Sequence, residues 1–82
     1  MTLDEMKVGQ GGHIQKMLPG GGPIRQRLLD MGVTRGTPFE VERVAPLGDP
    51  VEIHIKGYHL AIRKEEARFI TVKVAEDSRK SS

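Results

Sequence analysis

The chain has 82 residues, with 13 basic and 11 acidic side chains, three histidines and no cysteine. This length suits one domain near the lower limit for a stable core, and the missing cysteine excludes disulfides, thiolate metal sites and a thiol nucleophile and fits a reducing compartment. A share of 37% hydrophobic and 29% charged residues at a net charge of +2 describes a folded chain with a mixed surface, without a run approaching the roughly 20 apolar residues of a membrane span and with Asp4 and Glu5 where a signal peptide would be basic.

Thr2-Leu3-Asp4-Glu5 has the spacing of a capping box and predicts a single turn with Leu3 and Met6 on one side. Gly9 and Gly11-Gly12 end it, and His13 to Leu18 reads as a strand in which Ile14 alternates with His13 and Gln15. Pro19-Gly20-Gly21-Gly22-Pro23 breaks that strand. Glycines ahead of a helix invite a phosphate-loop reading, but Pro23-Ile24-Arg25 stands where Gly-Lys-Ser/Thr would be required, so the segment reads as a flexible linker.

Ile24, Leu28 and Met31, with Leu29 beside them, form the apolar stripe of a short helix, and Gly32 supplies the residue that closes a helix end. From Pro38 the period becomes two, with Phe39, Val41 and then Arg43 on one side and Glu40, Glu42 and Val44 on the other. Ala45 to Pro50 is a turn-rich tip, after which Val51, Ile53 and Ile55 alternate with Glu52, His54 and Lys56. A two-residue type II′ turn at Gly57-Tyr58 would set Ile55 against Leu60 and Ile53 against Ile62. Lys64 to Arg68 predicts a charged turn with Ala67 inward, and Phe69 to Val74 a closing strand with Ile70, Val72 and Val74 on one face. Residues 1–75 then form the domain and 76–82 a disordered tail. The expected fold class is mainly β, a small SH3-like barrel of five or six short strands with one covering helix.

Several segments together resemble the FeoA family: Leu3-x-x-Met6-x-x-Gly9, Arg27-Leu28-Leu29-Asp30-Met31-Gly32-Val33-Thr34-Arg35-Gly36-Thr37, Gly48-Asp49-Pro50-Val51, Ile55 through Ala67, and Ile70-x-Val72. They cover residues 1 to 74 in order. Methionine stands where leucine is more usual before the glycine that ends the helix, and the triple-glycine linker is long. The resemblance implies an SH3-like barrel in the cytoplasm, an accessory factor of bacterial ferrous iron uptake acting beside FeoB, a membrane permease with a GTP-binding domain. The same domain type forms the C-terminal module of iron-dependent repressors, which makes a metal-responsive domain an alternative.

Candidate sites follow from residue type. On the expected register His54 faces Ala61, His59 is its diagonal neighbour and Glu52 lies two positions along the strand. A His-His-Glu set can hold a divalent cation, but diagonal neighbours about 7–8 Å apart on an exposed face suit surface polar residues better. His13 stands apart on another strand. Serine occurs only at Ser78, Ser81 and Ser82, no nucleophile can be paired with a base, and the expectation is a non-enzyme without cofactor. Nucleic-acid binding would need Phe39, Tyr58 and Phe69 as stacking surfaces beside Arg25, Arg27 and Arg35, yet both phenylalanines suit the core, so no nucleic acid is expected. With no tryptophan and one tyrosine, an aromatic-lined proline-binding groove is also disfavoured. The exposed apolar candidates are Val33, Leu47 and Tyr58. A partner surface is expected from Arg25, Arg27, Asp30, Val33 and Arg35 at the helix end, with Leu47 as a separate contact; weak self-association stays open.

Overall fold

Short runs of alternating branched residues, each stopped by glycine or proline, pair into one antiparallel sheet. The computed structural model describes residues 1–75, so the expected tail, 76–82, lies outside the described residues. Its elements are β1 (Gly11–Met17), α1 (Gly22–Asp30), β2 (Pro38–Val44), β3 (Val51–Ile55), β4 (Tyr58–Ile62), the single turn α2 (Lys64–Ala67) and β5 (Ile70–Val74). The strand order is β4-β3-β2-β1-β5.

The SH3-like architecture is present with five strands, but the barrel is open, because β4 and β5 are the sheet edges and do not pair. The outer edge of β5 is already taken. Thr2 bridges Thr71, and the Val72 N–H donates to the Met1 carbonyl at 2.8 Å. The turn at Leu3–Glu5 holds this segment in place, with the Thr2 N–H donating to Glu5 Oε1 at 2.9 Å and Leu3 fully buried.

The core joins Ile14, Val41, Ile53, Ile55, Ile62, Ile70 and Val72 of the sheet to Ile24 and Leu28 of α1, and no polar side chain is buried among the described residues. The helix begins two residues earlier than its stripe suggests, because Pro23 fits the first turn, where its missing N–H costs nothing. Its end is closed by Gly32 at φ +83°, whose N–H donates to Leu29 while the Val33 N–H reaches back to Leu28 at 2.9 Å. That pair of bonds is a Schellman closure, which folds the following apolar residue onto the last turn.

Three expectations change through bulges and turns. In β2 the register shifts between Val41 and Arg43, so Arg43 is exposed and Val44 packs on the core, reversing their expected sides. In β1 a similar shift between Ile14 and Lys16 leaves Gln15 and Lys16 both exposed and turns Met17 inward. The β3–β4 turn is Lys56-Gly57, with φ +50° and +80°, the two left-handed residues of a type I′ turn. Ile55 therefore faces Tyr58, Ile53 faces Leu60 and Val51 faces Ile62. A displacement of two residues keeps every branched side chain on its face, which is why alternation alone could not detect it.

Gly12 belongs to β1 and does not end the first turn; it lies opposite Val74, where a Cβ would collide with the Lys73 carbonyl. The expected flexible linker is packed as well. A Cβ on Gly20 would sit 2.9 Å from the Phe69 ring, and the Leu18 N–H donates to the Phe69 carbonyl at 2.6 Å.

Candidate partner-binding site

The outer face of β3 and β4 carries His54 and His59. The observed hairpin register sets His54 directly opposite His59, where the expectation had Ala61, and the imidazoles stack with centroids 4.6 Å apart and planes 10° from parallel. His59 Nδ1 lies 2.7 Å from Glu42 Oε1. Glu52 instead faces Ala61 and stands 3.8 Å from Arg43, so it does not turn toward the imidazoles. His13 lies in β1 between Pro38 and Lys73. Among the described residues no three histidine or acidic side chains are grouped to hold a metal ion.

The aromatic residues are dispersed. Phe39 is buried, Phe69 packs against Gly20 with the Arg68 guanidinium 5.1 Å above its ring, and Tyr58 is exposed at the β3–β4 turn.

The helix-end surface is rearranged by the same bulges and caps. Val33 is fully buried. The Schellman closure folds Val33 back into the core instead of leaving it exposed as expected, and it lines the cleft described below; an apolar residue directly after a helix-ending glycine is the sequence signal for this. Arg27 turns toward the other side of α1, where Nη2 donates to the Ala61 carbonyl of edge strand β4 at 3.3 Å. Asp30 accepts from Gln26 along the helix at 2.7 Å. Leu47 stands alone at the β2–β3 tip, 97% exposed and with φ +73°.

Arg25 and Arg35 do come together. The turn after α1 is stitched to β1 by Ile14 N–H to Thr37 O at 2.9 Å and Gly36 N–H to Ile14 O at 2.7 Å, which holds Arg35 beside the bulged part of β1. There Arg25, Arg35, Lys16 and Leu29 line one cleft of about 290 Å³ together with the apolar Met17 and Val33. Two flanking clefts share its residues, one through Arg25 and Leu29 toward Gly20 and Gly22, the other through Lys16 and Arg35 toward Thr71. Lys16 and Leu29 were absent from the expected surface. Leu29 is 44% exposed beside the helix's buried stripe, and only the bulge places Lys16 next to it.

The family described as FeoA domain matches residues 1–74. The chain belongs to the FeoA family. It is a family of small accessory domains and not a known enzyme family. The solution structure of FeoA from Chlorobium tepidum is 38% identical and superposes with a TM-score of 0.82, over 93% of this chain and 71% of that one. The fold is shared further, with a TM-score of 0.76 at 22% identity over 89% of both chains, by Stenotrophomonas maltophilia FeoA, described as a prokaryotic SH3 domain protein. Among curated proteins, the Fe(2+) transport protein A/Fe(2+) transporter FeoB fusion protein of Porphyromonas gingivalis is 35% identical over all 82 residues of this chain, which spans 10% of its length.

Proposed function

We propose that this chain is a cytosolic accessory factor of ferrous iron uptake that docks on the cytoplasmic, GTP-binding side of a FeoB-type permease and alters its GTP cycle or assembly. The observation that carries this reading is the Porphyromonas gingivalis fusion, in which a relative of the whole chain is continuous with the transporter. Covalent linkage raises the effective concentration of two modules to the millimolar range, the arrangement expected of parts that bind one another modestly and act together. The surface of this chain fits a modest interface, since isolated apolar side chains lie among cations that steer an encounter.

The test is direct binding of the full chain to the purified cytoplasmic part of the permease from the same organism, with GTP hydrolysis and cellular ferrous iron uptake followed in parallel. Saturable binding and a changed hydrolysis rate are expected. Leu47→Asp and Arg35→Glu, both on exposed side chains, should weaken uptake while preserving the circular dichroism spectrum. No binding and no change in uptake on deleting the chain would overturn the reading; unchanged uptake in both variants would remove these residues from the interface.

A further inference from the structure

Of the three adjoining clefts beside α1 and the bulge of β1, the docking reading uses Arg35 alone. Their cations are Lys16, Arg25 and Arg35, their exposed apolar group is Leu29, and no aspartate or glutamate lines any of them. In a chain with 11 acidic residues, such a one-signed groove is a local bias that the near-neutral total conceals. Asp30, one residue beyond Leu29, is held by Gln26 along the helix and is not part of the lining.

We infer that this groove takes an acidic segment of the permease's cytoplasmic part, with one large apolar side chain seated against Leu29 and Met17 and carboxylates facing Lys16, Arg25 and Arg35. The inference rests on the permease reading and adds the chemistry of the docking element. Three cations beside the apolar Leu29, Met17 and Val33 complement a segment of that composition, and the apolar contact supplies what rim charges alone do not, since exposed ion pairs contribute little net affinity. A nucleic-acid strand is the poorer occupant, because base stacking needs exposed rings and none of the three aromatic residues lines the groove. The groove is also built rather than incidental: the Ile14–Thr37 and Gly36–Ile14 hydrogen bonds set the position of Arg35, and the β1 bulge sets that of Lys16.

The experiment uses the full chain, the intact cytoplasmic part of the permease and overlapping synthetic peptides that cover it, with binding followed by fluorescence anisotropy and by amide NMR shifts. The chains compared are the native one, Arg25→Glu, Arg25→Glu/Arg35→Glu, and Arg27→Glu as a charge control outside the groove. The peptides that bind should be net acidic with an apolar residue, shift the amides of Lys16, Leu29 and Arg35, and lose at least tenfold in affinity to the double variant. Arg27→Glu should change affinity less than twofold. Equal losses in Arg27→Glu and in Arg25→Glu alone would mean that net charge suffices, and would overturn the inference. Tighter binding of a single-stranded oligonucleotide than of any acidic peptide would do the same. If the intact permease part binds while the double variant has no effect, the groove assignment falls and the function stands. If the intact part does not bind, the function falls and takes the groove's occupant with it.

Discussion

Leu47 offers the sharpest test of how this surface is built. Its φ of +73° and ψ of 5° place a bulky L-residue in the left-handed region, and its side chain is 97% exposed, so no burial offsets the cost. That conformation costs roughly 1–2 kcal/mol for most residues, whereas asparagine visits it routinely. Leu47→Asn should therefore stabilise the chain by about 1 kcal/mol, which for a domain of this size raises Tm by about 4–8 °C. Leu47→Ala keeps the strained Cβ and loses nothing buried, so its Tm should stay near that of the native chain. Leu47→Gly should gain less than Leu47→Asn, since the freedom of glycine in the unfolded chain costs about 0.5–1 kcal/mol. Thermal unfolding followed by circular dichroism measures all three. If Leu47→Asn is no more stable than Leu47→Ala, the strain argument is refuted. Strain kept on an exposed apolar tip is the pattern of a contact residue. The same Leu47→Asn variant should accordingly bind the permease more weakly while being more stable; stabilisation without loss of binding would remove Leu47 from the interface.

Three further outcomes follow from the fold. Leu28 is fully buried under the Schellman closure, so Leu28→Ala should cost about 2–5 kcal/mol in urea unfolding, a large part of the roughly 4–12 kcal/mol available to a chain of this length. Lys56→Asn should stabilise the β3–β4 hairpin by up to about 1 kcal/mol, because Asn-Gly suits a type I′ turn; destabilisation would argue for another turn type. Donation from the Thr2 N–H, and then from its hydroxyl, holds the Glu5 carboxyl below the ordinary glutamate value. Glu5 thus binds fewer protons folded than unfolded. Its support of the first turn is complete above the unfolded pKa and is lost as pH falls through the lowered folded value. An NMR titration should place the Glu5 midpoint below that of glutamate in an unfolded peptide, and a midpoint at or above it would contradict the bond to Thr2.

How much of the site could be read in advance varies residue by residue. Arg25 and Arg35 were legible as exposed cations near the helix, and both line the groove. Val33 was misplaced because an apolar residue after a glycine cap looks like a loop residue until the backward bond to Leu28 is considered. The histidines were placed on the correct face but in the wrong pairing, since His54 meets His59 only when the turn is Lys56-Gly57. Lys16 was unreadable as a groove residue, because nothing in Ile14-Gln15-Lys16-Met17 announces a bulge.

Composition, alternation and the positions of glycine and proline determined the elements, their buried faces and the end of the helix, because those depend on contacts a few residues apart. Branched side chains at every second position must bury one face wherever the strand pairs. The tertiary structure alone decided the register of the hairpin, the two bulges, the open edge beside β4 and the meeting of Lys16 with Arg25 and Arg35. Those depend on which strand lies beside which, and a shift of two residues, or one extra residue in a strand, leaves the local pattern almost unchanged while moving every charged neighbour on the outer face.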